Sequence, residues 1–347
     1  MHVVYIQDAQ EFTGIGRYAD DLYKLMKNDS EIIQFVFDKR FINHNQFVKK
    51  IYGYNNISIL NRIFPKFIFK AQIEMLRLKN SIVHLTSTTF PSTLLFNKNK
   101  TVITIHDLIP FKKIADYNYL LDLYYRHNLK RYIKYYVNIL TVSNYVKNEL
   151  ISNFKLKEEN VTVIPPVISD YFYHVPDKAE LRKKLNLPLD RKLILSVSSL
   201  ERRKNPAMIQ TATNKLSRDF QLVRIGPAVR NSINFNRINM ETINEIYNAC
   251  DMLYFPTLEE GFGSPLVEAM RVGIPIVSSN IPVVKEVVGD AGKLVDPNDV
   301  DENIEAIYHV AENPNYYILK GYERSKLYSG ETVKEKLYKY YSTISCN

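Results

Sequence analysis

The chain has 347 residues, 46% of them hydrophobic, and 46 Lys and Arg against 37 Asp and Glu give a net charge of +9. That length predicts two domains with real cores, and no run of eighteen apolar residues marks a membrane-spanning helix. The two cysteines, Cys250 and Cys346, argue against a disulfide framework, a zinc site or a nucleophilic thiol, and make a reducing, cytoplasmic setting the default expectation.

Met1-His-Val-Val-Tyr-Ile6 lacks a basic stretch and a small-residue cleavage site, so it reads as a first strand, Val3 to Ile6, rather than a signal peptide. Ile15, Tyr18, Ala19, Leu22, Leu25 and Met26 then recur at helical spacing. The first loop, Ala9 to Ala19, contains Gly14-x-Gly16-x-x-Ala19, with Asp38 ending the next strand. This mimics a dinucleotide fingerprint. The spacing rejects it, because those glycines should follow the strand directly and here a long loop intervenes. Gly14 and Gly16 instead let the backbone approach a ligand closely.

Strands are predicted at Ile32 to Phe37, Ile82 to Leu85, Val102 to Ile105, Ile139 to Val142 and Val161 to Ile164. His106 and Asp107 follow the fourth strand at its carboxyl end, where parallel sheets place ligands. A histidine hydrogen-bonded inside the domain is the competing reading. Ser143 caps a helix from about Asn144. Pro165-Pro166 marks a boundary, and the polar stretch Asp170 to Arg191, with a helix at Lys178 to Lys184, reads as the connection.

A second strand–helix series follows, with strands at Leu193 to Ser198, Leu222 to Ile225, Met252 to Phe255, Ile276 to Val277 and Lys293 to Val295. Ser198-Ser-Leu-Glu-Arg-Arg-Lys-Asn-Pro206 leaves its first strand. Asn205 reads as an N-cap and Pro206 as the first helical residue. Arg203 and Lys204 directly before that helix make a diphosphate cradle, against the plainer reading of a surface charge run. Thr257-Leu-Glu-Glu-Gly-Phe-Gly-Ser-Pro-Leu-Val-Glu-Ala-Met270 holds two carboxylates around a glycine turn. Ser264 reads as N-cap, Pro265 as first helical residue, Gly273 as the stop, and Glu268 falls in the first turn. Glutamates beside a helix N-terminus suit a ligand carrying both phosphate and hydroxyls, of which a nucleotide sugar is the simplest. Val333 to Thr343 is an amphipathic closing helix. The alternation predicts an α/β protein with parallel sheets. Asp299 and Asp301 form the one Asp-x-Asp, which helix capping explains, so no metal is expected.

The excess positive charge concentrates in two regions. Arg62 to Lys79 sets Arg62, Lys66, Lys70, Arg77 and Lys79 against Glu74 among phenylalanines, and Lys112 to Lys134 holds Arg126, Lys130 and Lys134 at helical spacing. Either is a solvated helix face, with Asp122 and Arg126 paired, or a basic aromatic surface that rests on anionic lipid.

Glu260-Gly-Phe-Gly-x-Pro-x-x-Glu268-Ala-Met resembles the paired-glutamate motif of retaining glycosyltransferases of family 4, which have the GT-B fold. Gly273-Ile-Pro275, Glu286-Val-Val-Gly-Asp-Ala-Gly292 and Val295-Asp-Pro297 continue the likeness. The resemblance implies two Rossmann-like doubly wound domains facing across a cleft. An acceptor-side domain would span residues 1–168 and a nucleotide-sugar-binding domain 169–327, with a helix over 328–347 crossing back to the first. It implies that Glu268 holds the ribose hydroxyls, that Glu260 lies near the donor sugar, and that the amides of Gly261, Phe262 and Gly263 contact sugar or phosphate. The Arg-Lys-Asn run resembles the family motif whose lysine, here Lys204, contacts the donor diphosphate. Many members also carry an arginine where this chain has Ser199, which shifts charge onto Arg203. The Gly14-Ile-Gly16-Arg-Tyr segment resembles one facing diphosphate and acceptor, and His106-Asp107 resembles the pair that binds near the sugar ring. Such enzymes need no bound divalent ion.

The expected activity is therefore transfer of a hexose from a nucleotide-diphosphate sugar to an acceptor hydroxyl of a glycan or glycolipid, with retention. The style of the motifs is similar to mannosyltransferases, which favours GDP-mannose over UDP-sugars. The setting expected is cytoplasmic, with peripheral contact at an anionic membrane face as the lipid reading of the basic segments. Three alternatives remain open: a GT-B sugar-nucleotide epimerase, a nucleic-acid-modifying glucosyltransferase, and a non-catalytic nucleotide-sugar-binding protein. Nothing in the chain resembles a nucleic-acid-binding module, so nucleic acid is disfavoured as a partner.

Overall fold

The computed structural model describes residues 2–7, 14–36, 48–53, 81–87, 98–112, 114 and 119–345. The basic segment Arg62 to Lys79, Asp38 and Cys346 lie outside them, as does the side chain of Asp122. The chain forms two units. One comprises Met1–Phe111, Tyr117–Val167 and Gly330–Asn347, the other Lys112–Asp116 and Ile168–Ser329. Among the described residues no helix is long and apolar enough to cross a membrane, and no cluster of His, Cys, Asp or Glu could hold a metal. Asp299 instead caps the helix Val300–Glu312, its Oδ1 accepting from the amides of Asp301 and Glu302 at 3.0 Å.

Among the described residues the first unit holds seven parallel strands, β1 Val3–Gln7, β2 Ser30–Val36, β3 Val48–Gly53, β4 Ile82–Leu85, β5 Thr101–Ile105, β6 Ile139–Thr141 and β7 Val161–Val163. Their order is β3-β2-β1-β4-β5-β6-β7. The second holds six, β8 Lys192–Val197, β9 Phe220–Ile225, β10 Ser232–Phe235, β11 Met252–Phe255, β12 Ile276–Ser279 and β13 Gly292–Val295. Their order is β10-β9-β8-β11-β12-β13, again with every pairing parallel. Both sheets therefore reverse direction once, between β1 and β4 and between β8 and β11.

β4, β5, β6, β11 and β12 are buried at every position, which is why they read as plain apolar runs. The sequence pattern missed the edge strands β3 and β10. Val-Lys-Lys-Ile-Tyr-Gly has no alternation, and Ser-Ile-Asn-Phe is short and half-buried throughout. The polar stretch before β8 is bound tightly to its unit. Arg182 reaches Asp251 at 2.6 Å, and Asp251 also accepts from the Leu193 amide at 2.6 Å and from Lys178 at 2.9 Å.

The closing helix Gly330–Ser345 packs in the first unit. Its Val333, Leu337, Tyr341 and Ile344 join Val3, Tyr5, Leu22, Ile82, Val102 and Leu140 in one core cluster. Each such side chain contributes about 1.5–3 kcal/mol by burial. Polar groups thread the same core. His84 is fully buried on β4, with Nδ1 2.7 Å from the Tyr341 hydroxyl and Nε2 2.7 Å from the Thr104 hydroxyl. The Tyr18 hydroxyl lies 3.3 Å from the same Thr104 oxygen. Burial holds the imidazole neutral and lowers its pKa to about 3.

Leu337→Ala should destabilise the chain by about 2–5 kcal/mol in urea unfolding. Unfolded His84 takes a proton near pH 6.5 while the folded residue does not until about pH 3. The unfolded state binds more protons in that window, so stability should fall as pH drops from 6.5 towards 3. His84→Gln should be less stable at pH 7 and lose less on acidification, and parallel pH profiles of the two proteins would contradict this.

Candidate active site

The reversal of strand order in the second sheet brings two loops together at the carboxyl ends of β8 and β11. The Arg203 carbonyl accepts from the Leu258 amide at 2.7 Å and from the Thr257 hydroxyl at 2.9 Å, which ties one loop to the other. Glu260 then meets both cations. Lys204 Nζ donates to its Oε1 and Arg203 Nη1 to its Oε2 at 3.3 Å, with the Thr257 hydroxyl 3.0 Å from Oε1. Arg203 Nε pairs with Glu201 at 2.6 Å, and Lys204 Nζ lies 5.2 Å from the centre of the Phe255 ring. Glu260 is only 7% exposed. The Arg203–Lys204 cradle is therefore already matched by two carboxylates. Desolvation makes such a cluster costly to break one partner at a time.

Local geometry differs from the sequence reading at the two loop ends. The helix after Glu260 runs Ser264–Val272 with Gly263 as its N-cap, so Ser264 and Pro265 are its first two residues. Gly263 has φ +92°, and a Cβ there would lie 2.8 Å from Leu266 Cδ1, so the turn requires glycine. Pro265 tolerates this position because amides in the first turn have no intrahelical partner. One consequence is that Glu268 falls in the second turn, not the first. Gly273, at φ +83°, ends the helix as expected. Asn205 adopts φ +55° and makes no side-chain cap; its amide donates to the Pro297 carbonyl at 2.8 Å instead, tying the loop to the segment after β13.

Glu268 is buried, and its Oε2 accepts from the Tyr247 hydroxyl at 2.6 Å. The aromatic ring of Phe262 is buried edge-on against Tyr328, 5.4 Å between centres, so it props the glycine turn while Gly261 beside it is buried as well. Tyr247 and Thr257 escaped the sequence reading because a hydroxyl inside an apolar helix or loop has no pattern of its own.

In the first unit, Gly14 and Gly16 open the helix Gly14–Leu25 rather than standing in the loop before it. They place a helix N-terminus beyond β1, a position that favours anions. His106, after β5, donates from Nε2 to the Thr86 carbonyl at 2.8 Å and meets the Tyr18 ring edge-on at 4.8 Å. Burial lowers its pKa to about 4, against a smaller rise from Thr86. The carbonyl partner leaves Nδ1 as an acceptor. Such a group receives a hydroxyl hydrogen bond and is a poor general base. Asp107 Oδ1 accepts from the Ile109 amide at 3.0 Å and caps the turn Ile109–Phe111. Ser143 caps the helix Asn144–Phe154, accepting from the Val146 amide at 3.2 Å. Lys112, from the basic stretch Lys112 to Lys134, pairs with Glu259 at 2.8 Å, and Arg126 donates to the Pro110 carbonyl. Lys130, Arg131, Lys134 and Tyr135 remain exposed.

The sequence matches the family described as Glycosyltransferase Family 4 over residues 12–170 and that described as Glycosyl transferases group 1 over residues 177–324. It is 25% identical over 223 residues to the O-antigen chain mannosyltransferase RfbU of Salmonella typhimurium, covering 63% of this chain and 62% of that protein. The match thus spans less than two thirds of the relative's length. The fold is similar to that of the sucrose-phosphate synthase of Thermosynechococcus elongatus, with a TM-score of 0.80, 18% identity and 99% of each chain covered. It is also similar to Anabaena Alr3699/HepE in complex with UDP-glucose, with a TM-score of 0.78, 15% identity, and 99% of this chain and 100% of that one covered. With both halves matched and two parallel α/β units in the structure, the chain belongs to the GT-B glycosyltransferases of family 4 and is mannosyltransferase-like.

Proposed function

We propose that the chain transfers a hexose, with retention of configuration, from a nucleotide-diphosphate sugar to a hydroxyl of a glycan or glycolipid. The observation that carries this reading is the cluster in which the half-buried Arg203 and Lys204 meet the buried Glu260 at the strand-order reversal of the second sheet, with Glu268 buried on the helix that follows. Glu268 accepts from the ribose hydroxyls, with Tyr247 fixing its carboxylate. Arg203 and Lys204 hold the diphosphate. A phosphate oxygen there competes with Glu260 for the same two cations. Binding therefore exchanges one anion for another and frees the Glu260 carboxylate to accept from sugar hydroxyls. The glycine turn at Gly261–Gly263 lets main chain approach the ligand.

In the reaction the bond between the anomeric carbon and the diphosphate oxygen breaks, and the acceptor oxygen bonds to that carbon from the same face. The acceptor proton passes to the departing diphosphate. Arg203 and Lys204 stabilise the charge that develops there, so the chain's own cations do what a bound metal would otherwise supply. RfbU is a mannosyltransferase and HepE was solved with UDP-glucose, so GDP-mannose is the first donor to test and UDP-glucose the second. The exposed group Lys130, Arg131, Lys134 and Tyr135 suits contact with an anionic membrane carrying a lipid-linked acceptor.

Transfer should be measured with each donor and a lipid-linked glycan acceptor, and the linkage formed assigned by NMR. Lys204→Ala should lower kcat/KM by about 100-fold or more while circular dichroism shows a folded chain; full turnover by that folded variant would sink the diphosphate assignment. Conversion of donor without acceptor would instead identify an epimerase. Glu268→Gln should weaken binding of GDP or UDP by roughly tenfold and leave binding of the 2′,3′-dideoxy nucleotide unchanged. Equal losses for both would remove Glu268 from the ribose.

A further inference from the structure

Arg224, at the carboxyl end of β9, is fully buried and has no carboxylate partner among the described residues. Its hydrogen-bond partners are all neutral. Nε donates to the Pro227 carbonyl at 2.9 Å, Nη1 to the Ser196 hydroxyl at 3.2 Å, and Nη2 to the Ser198 carbonyl at 2.9 Å and hydroxyl at 3.2 Å. Ser196 is its register partner on β8, so both side chains lie on one face of the sheet. Gly226 completes the arrangement. At φ +129° it brings main chain so close to Ser198 that a Cβ would sit 2.3 Å from the carbonyl oxygen. The guanidinium thus grips the first residue of the loop that carries Arg203 and Lys204.

A guanidinium cannot shed its proton to relieve burial. Hydrogen bonds to neutral groups satisfy its donors but leave its charge unbalanced. The cluster beside it offers no surplus anion, because Arg203 and Lys204 are matched by Glu201 and Glu260. Among the described residues the charge of Arg224 at the carboxyl end of β9 is therefore matched by no carboxylate.

We propose that Arg224 is a positioning residue for the donor diphosphate, holding the Ser198–Lys204 loop in place and supplying, from beneath it, the charge that a bound diphosphate balances. This rests on the nucleotide-sugar reading of the site. Arg224 touches no ligand in this account. Its effect falls on the diphosphate and not on the nucleoside, because a full charge acts over several ångströms in a low-dielectric interior whereas nucleoside contacts are short-ranged.

Titration calorimetry of wild type, Arg224→Met and Arg224→Lys with GDP, UDP, inorganic pyrophosphate, guanosine and uridine tests it, with thermal unfolding of each variant alongside. Arg224→Met should weaken the preferred nucleoside diphosphate and pyrophosphate on the order of tenfold, with the matching nucleoside unchanged. Arg224→Lys keeps the charge and should recover part of that loss. Equal affinity of wild type and folded Arg224→Met for the diphosphate overturns the proposal, and so does a loss shared equally by the nucleoside, which marks loop disruption alone. If Arg224→Met does not fold, failure of Arg224→Lys to retain more diphosphate affinity than Arg224→Gln overturns it. Wild-type protein that binds neither GDP nor UDP contradicts the nucleotide-sugar reading itself.

Discussion

The hydrogen bonds that Thr257 and Leu258 donate to the Arg203 carbonyl close the seam between the loops leaving β8 and β11. That seam exists because β8 continues to β9 on one side of the sheet while β11 continues to β12 on the other. A parallel sheet that reverses its winding leaves its carboxyl ends open at the reversal, and the loops there are neighbours in space though far apart in sequence. Arg203 and Lys204 meet Glu260 for this reason. The glycine turn at Gly263, the short helix behind it and the buried Tyr247–Glu268 pair all build outward from the same junction.

The electrostatics of the junction define what it can hold. Two half-buried cations and two carboxylates balance one another, and the buried guanidinium of Arg224 adds a charge with no carboxylate partner among the described residues. A neutral ligand would have to pull this cluster apart with no return. A polyanion replaces Glu260 as the cations' partner and satisfies Arg224's field at the same time. The cluster is thus held together by an internal stand-in for the ligand, which keeps two desolvated cations from standing alone.

Much of this was legible in the sequence. The apolar runs of β4 to β6 and of β11 announced buried parallel strands, and the ordered motif from Glu260 to Met270 marked the loop and helix that matter. What escaped was of two kinds. Short edge strands such as β10 carry no periodicity, and Asn205 and Ser264 resemble caps until the backbone angles are known. The second kind is partnership across distance. His84 reads as one polar residue in an apolar strand, and only the folded unit sets it between Tyr341 and Thr104. Likewise, the sequence presents Arg203 and Lys204 as cations awaiting phosphate, and only the folded loops reveal Glu260 already on them. Arg224 looks like a surface arginine interrupting a strand until its burial is seen.

The most direct test of this account is a crystal structure of the chain with its nucleoside diphosphate bound. The account predicts phosphate oxygens on Arg203 and Lys204, ribose hydroxyls on Glu268, and the Glu260 carboxylate withdrawn from Lys204. A nucleotide bound elsewhere, or one bound at this junction with the Glu260–Lys204 pair intact and no phosphate contact to either cation, would contradict it.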